Sequence, residues 1–184
     1  MSRTCSPTSS SASRRSRRWP DAPMLVLGID PGSRRTGWGV VRLEGTRLHH
    51  AGAGTIAVPA KWPLAKRLHR IHQGLQQVIS EHRPEAVAVE EIFFAKYASA
   101  ALKLGHARGV ALLAAAEAGL EVHEYPPAIV KRTVVGRGAA DKTQVARLVT
   151  ALLGLNAPPE EDAADALAVA ITHIQASRSK GIGR

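Results

Sequence analysis

The chain has 184 residues, 45% of them hydrophobic, and a formal net charge of +10. That length suits one domain with a real core. No apolar run approaches the roughly 18 residues a bilayer span needs, so neither a membrane-spanning chain nor one held at a membrane is expected. No apolar stretch follows the N-terminal charges, so a secretory signal is not expected either, and the reading is cytoplasmic. The single Cys5 excludes an internal disulfide and a cysteine-based metal site.

Residues 1–23, "MSRTCSPTSSSASRRSRRWPDAP", are Ser/Arg-rich with one acid, Asp21. Such a segment buries too little apolar area to offset its chain entropy; it resembles a transit peptide in composition and reads equally as a disordered basic tail. Met24 directly precedes "LVLGIDPGS", so the tail also reads as translated upstream sequence. The remaining 24–184 keeps 20 basic against 14 acidic residues. A basic domain suits a polyanionic partner, nucleic acid above all.

In chain order, "MLVLGID" (24–30) is a short apolar run bounded by "PGS" and predicts a buried strand. "GWGVVRLEG" and "RLHHAGAGTIAV", with Gly45 between them, predict a hairpin. Residues 62–82 place Leu64, Leu68, Ile71, Leu75 and Val78 on one helical face, and Pro84 ends it. "EAVAVEEIF" predicts a strand parallel to the first if that helix is a crossover. An alanine-rich helix over 97–118 carries Leu102, Gly105, Gly109, Leu112 and Leu113, the two glycines making a small face for close helix packing, within the subunit or across a two-fold axis. "LEVHEYP" predicts another strand, and "DKTQVARLVTALLG" and "EDAADALAVAITHIQAS" the last helices. The histidine groups His49/His50 and His69/His72 have neither acids nor cysteines beside them and read as surface residues. The order describes an α/β layer with mixed strand pairing, whose sites gather at the C-terminal strand ends.

The acidic residues of that layer fall where a site is expected. Asp30 ends the first strand, and Pro31 keeps it extended because the residue before proline avoids the α region. Ordinary turn chemistry is the alternative for "DPGS". Glu90 and Glu91 follow Val87-Ala88-Val89; adjacent strand residues face opposite ways, so one of the two enters the crevice, and spacing alone does not say which. Asp162 and Asp165 open the last helix three residues apart, on one face. First-turn electrostatics accounts for Glu160, Glu161 and also for Asp162, but less well for Asp165. Clustered carboxylates call for cations, and all-oxygen ligands favour Mg²⁺ or Mn²⁺ over zinc. Two such ions about 3.5–4 Å apart form the clamp used for in-line displacement at phosphodiesters. The pair Phe93–Phe94 follows the strand, in a chain with 4% aromatics. One of them suits stacking on unpaired bases, the other core packing.

The segments "LGIDPGSRRTGWGVV", "AVEEIFFAKYASAALKLGHARGVAL", "VKRTVVGRGAADKTQVARLV" and "DAADALAVAITH" together resemble the RuvC family of bacterial Holliday junction resolvases, over residues 24–174. The resemblance implies an RNase H-like α/β fold, a mixed five-stranded sheet flanked by helices. It implies catalytic, metal-binding carboxylates at Asp30, Glu90, Asp162 and Asp165, and so selects Glu90 over Glu91. It implies two Mg²⁺ per subunit, with Mn²⁺ as a substitute. It also implies a homodimer that nicks opposed strands of a four-way DNA junction, leaving 5′-phosphate and 3′-hydroxyl ends, beside the RuvA–RuvB branch-migration complex. Lys131 and Lys142 match basic positions near the scissile strand, and Phe93 a base-wedging position. Arg132 and Arg137, with Arg34 and Arg35, are further candidates for phosphate contact. A ribosomal-RNA-trimming nuclease of related fold, an actin-like ATPase and a non-enzymatic junction binder are the rival readings. The long match through "AVEEIF" and "KRTVVG" speaks against the first. The absence of a second phosphate-binding turn speaks against the second, and the convergent carboxylates against the third.

Overall fold

In a computed structural model, residues 23–91, 98–136 and 141–181 are described. The first strand, β1 (Met24–Asp30), is followed by a long hairpin, β2 (Arg35–Glu44) and β3 (Arg47–Ala57). Gly45 turns the hairpin with φ of 58°, a conformation glycine adopts without strain. The α-helix α1 (Leu64–His82) then leads to β4 (Ala86–Glu90), α2 (Ala98–Glu117) and β5 (Glu121–Tyr125). Three helices close the chain, α3 (Pro127–Val135), α4 (Lys142–Leu153) and α5 (Glu161–Gly181).

The five strands form one sheet in the order β3-β2-β1-β4-β5. β2 pairs antiparallel with both β1 and β3, while β1–β4 and β4–β5 are parallel. The parallel pairs follow from α1 and α2 acting as crossovers. Helices cover both faces. Val26, Val41, Leu43 and Ala88 pack against α3, α4 and α5; Leu27, Ile29, Val40, Val87 and Val89 pack against α1 and α2. The period of two along each strand thus sorts residues between two apolar layers, which is why β1 and β4 read as near-continuous apolar runs.

One element was not expected: α3, in the stretch after "LEVHEYP". Its signals are local and legible afterwards. Pro127 stands at the start, where its missing N–H costs nothing, and Gly136 closes it with φ of 74°. Val130 and Val134, four apart, are its buried face. The strand over "EAVAVEEIF" is also shorter than its apolar run, ending at Glu90.

α5 is seated closely on the sheet. A Cβ on Gly28 would lie 2.0 Å from the Ala166 carbonyl oxygen, and one on Gly37 would lie 1.9 Å from that of Asp162. On the helix side, Ala163, Ala164, Ala166, Ala168 and Ala170 are all buried. Small residues on both partners let a helix backbone rest directly on a strand backbone. Gly37→Ala puts a side chain where only backbone can yield. It is expected to lower stability by about 1–3 kcal/mol in urea unfolding. An unchanged unfolding midpoint would show that α5 is not seated on this glycine.

Candidate functional site

Strand register brings the acidic residues together. Ile29 pairs with Val89 across the parallel β1–β4 ladder, so Asp30 and Glu90 leave the sheet side by side at its C-terminal edge. Both share the parity of residues that face α5, Asp30 with Val26 and Gly28, Glu90 with Ala88. On the other side of β1, Asp30 pairs with Gly37, the residue on which the Asp162 backbone rests. α5 therefore enters directly over the strand ends, with Asp162 in its first turn and Asp165 one turn further in.

The electrostatics reports the same convergence. Burial is the largest cause pushing the Glu90 carboxyl up to about 8, and the charges of Asp30 and Asp165 add to it. A hydrogen bond to Asp30 raises it further, while the Lys131 ammonium acts in the opposite direction. Crowded like charges in a poorly solvated crevice keep one of them protonated. Glu91 is half-buried, and its backbone N–H donates to the Tyr125 carbonyl at 2.9 Å. The choice between the two glutamates thus follows from register: Glu90 is the one that meets the other acids.

Asp162 has a different partner. Arg35, at the start of β2, donates from Nε to Asp162 Oδ2 at 2.5 Å and pairs through its other amino end with Glu160. Its guanidinium is held above its ordinary range, first by the Asp162 hydrogen bond and then by that of Glu160. The Glu160 carboxyl is held below its usual range by the Thr55 side chain and then by Arg35. Arg35, one of the candidates for phosphate contact, is here turned to two carboxylates at the entrance of α5. The separation of 127 residues between Arg35 and Asp162 hid this from any local reading.

Of the basic candidates, Lys131 on α3 stands within electrostatic reach of Glu90, and Arg132 is exposed beside it. Lys142 opens α4, behind an Asp141 cap that accepts from the Gln144 N–H at 2.8 Å; the Lys142 side chain lies outside the described residues. Phe93, Phe94 and Tyr97 also lie outside them, as does Arg137. A histidine pair went unnoticed in the sequence. His173, buried on α5, stacks on His123 with centroids 4.2 Å apart and bonds the Tyr125 hydroxyl at 2.9 Å.

The described residues carry no group of three acids, histidines or cysteines already drawn into a metal shell. The donors are nonetheless of the right kind. Carboxylate oxygens alone suit a hard divalent cation, and the elevated Glu90 marks the negative charge that such a cation would neutralise.

The sequence pattern of the crossover junction endodeoxyribonuclease RuvC family matches residues 26–173. The chain belongs to this family. A crossover junction endodeoxyribonuclease RuvC of Sorangium cellulosum is 57% identical over 154 residues, 84% of this chain and 86% of that protein. The structure of Thermus thermophilus RuvC in complex with a Holliday junction substrate superposes with a TM-score of 0.81 at 41% identity, covering 85% of this chain and 96% of the other. The yeast mitochondrial Holliday junction resolvase Ydc2 shares only 12% identity, yet has a TM-score of 0.60 over 90% of this chain and 83% of its own, a likeness of fold. The RuvC-family chain thus has an RNase H-like sheet with its acidic cluster at the C-terminal strand edge.

The elevated Glu90 has a measurable consequence. Its folded value near 8 lies above the ordinary 4.5, so between these pH values the native state holds more protons than the unfolded chain. Its contribution to stability is then present below about pH 4.5 and lost as pH rises through about 8, at up to roughly 1.4 kcal/mol per pH unit. In EDTA, Glu90→Gln is expected to flatten the fall of Tm between pH 5 and 8 and to be the more stable protein at pH 8. Parallel Tm profiles for the two proteins would place the proton elsewhere.

Proposed function

We propose that this protein resolves four-way DNA junctions by hydrolysing phosphodiesters in the crevice of Asp30, Glu90, Asp162 and Asp165. The observation that carries the reading is the convergence of acids from β1, β4 and α5 on one strand edge, with Glu90 raised to about 8 by burial and its neighbours. Two divalent cations, Mg²⁺ with Mn²⁺ as a substitute, supply a water of lowered pKa and stabilise the leaving 3′-oxygen when bound. The four carboxylates hold them. Each carboxylate is aimed by rigid backbone, Asp30 by the strand and its following proline, Asp162 and Asp165 by a helix seated on glycine.

The basic residues meet the substrate. Lys131 faces the crevice from α3, where its ammonium opposes the negative charge of Glu90 and attracts the scissile phosphate. Lys142, Arg132 and Arg137 extend the track, and Phe93 stacks on a base at the opened junction centre, which offsets part of the unstacking cost. The products carry 5′-phosphate and 3′-hydroxyl ends. Residues 1–23 form a tail separate from the catalytic domain of 24–184, adding non-specific attraction that salt screens.

Paired nicks require two sites, and an open apolar face supports the reading of a second copy. Leu68 of α1 and Leu102, Gly105, Gly109 and Leu113 of α2 line an open apolar groove. Leu102 and Leu113 are 66% and 51% exposed, and a Cβ on Gly105 or Gly109 would meet nothing within 4 Å. The small face is therefore not used for packing within the described subunit, which favours a two-fold contact between copies. RuvA–RuvB, carried over from the resemblance, completes the proposed partners. No helix among the described residues is long and apolar enough to cross a membrane, in keeping with a cytoplasmic site of action.

The direct test is incubation with a synthetic four-way junction and Mg²⁺, where symmetric paired nicks are expected. Asp30→Asn should bring nicking below detection while junction binding stays at least as tight, since an anion facing phosphate is removed. A folded Asp30→Asn protein that loses binding together with nicking would overturn the ligand role.

Leu102→Asp is expected to halve the mass in sedimentation and to leave junctions singly nicked. A variant that still sediments as a dimer would move the interface away from α2.

A further inference from the structure

The turn after Asp30 also walls a second cavity, of about 440 Å³, lined by Ser33, Arg34, Arg67, Ser99 and Lys103. Its charged lining is three cations, with no acid among the residues that form it. Arg67, on α1, is only 8% exposed. One of its amino groups donates to the Ser33 carbonyl at 2.8 Å, which fixes the plane of the guanidinium. Its Nε is buried and has no hydrogen-bond partner among the described residues. That Nε is closed off from the cavity, so Arg67 acts on whatever fills the cavity through its charge and the remaining face of the guanidinium. Arg34 and Lys103 are exposed and bring two more positive charges to the same cavity.

We propose that this cavity binds a backbone phosphate of the junction DNA other than the one that is cut. The inference rests on the junction-cleaving reading and adds a subsite to it. Arg67, Arg34 and Lys103 contribute positive charge, and the serines can donate to phosphate oxygens. The cavity lies on the α1/α2 side of the sheet, whereas the carboxylates face α5. One phosphate therefore cannot serve both, and a strand crossing the edge of β1 is gripped on either side of it. The two sites also differ in sign. The carboxylate crevice repels phosphate until cations arrive, while the cavity attracts it in their absence. Anchoring here bears on Ser33, three residues from Asp30, and so holds the turn that carries the catalytic acid.

The experiment uses the full chain, with wild type and an Arg34→Ala/Lys103→Ala double variant that leaves Arg67 and its bond to Ser33 intact. Both altered side chains are exposed, so equal Tm values confirm folding. Binding of a fluorescent four-way junction is measured in EDTA across salt, and single methylphosphonates are placed in turn along the strands. The variant is expected to show a shallower salt dependence, by about 0.9 in log K against log salt for one lost phosphate contact. At one uncut linkage, methylphosphonate should weaken wild type about tenfold and the variant hardly at all. Identical salt slopes and identical methylphosphonate patterns would overturn the subsite. Nicking by wild type in Mg²⁺ tests the parent reading separately: a wild type that nicks junctions while the patterns coincide loses only the subsite. A wild type that binds through the cavity but nicks nothing loses the cleavage reading and keeps the phosphate site.

Discussion

The contact on which the rest depends is that of α5 with the backbone of β1 and β2. Gly28 and Gly37 leave no room for a side chain beneath the helix, and the buried alanines of α5 fill the space from above. This closeness has a chemical purpose. Asp162 and Asp165 are short side chains, so they reach the strand ends only if their helix lies almost on the sheet. The register that pairs Asp30 with Gly37 and Ile29 with Val89 then sets Asp30 between Glu90 and the start of α5. A bulkier interface would retain the fold and separate the acids.

The cost of that arrangement is electrostatic. Acids brought together beside a buried strand edge repel, and Glu90 responds by holding its proton to about pH 8. Two cations of the chain relieve part of the strain in different ways. Lys131 opposes the charge of Glu90 from α3, and Arg35 ties Asp162 and Glu160 to the start of β2. Arg35 thereby ties down the first turn of α5, where the free N–H groups of a helix already favour acids. The remaining excess of negative charge is what the proposed divalent cations would neutralise. The clustering of acids and the stability of the fold are therefore opposed, and the apolar layers on both faces of the sheet carry the difference.

Much of this was legible in the residues. Asp30 was marked by an apolar run and a proline, and the helices by their periods and breakers. Other features were missed for identifiable reasons. α3 is short and carries only two buried valines, so its period is weak, although Pro127 and Gly136 announced its ends. The orientation of Glu90 against Glu91 needed the register of β4 on β1. Arg35 read as one more cation among arginines. The His123–His173 stack joins residues that share no local motif.

By itself, the sequence determined most of the order of elements, the end of the first strand at Asp30 and the surplus of basic charge, because apolar period, proline and glycine act over a few neighbouring residues. The family likeness carried by its motifs implied which acids belong together. Tertiary structure alone decided which face Glu90 takes, which carboxylates Arg35 claims, and that Arg67, Arg34 and Lys103 share a cavity behind Asp30. These are pairings between segments far apart in the chain. Strand register and helix docking fix them, and no local pattern encodes where a distant backbone will come to rest.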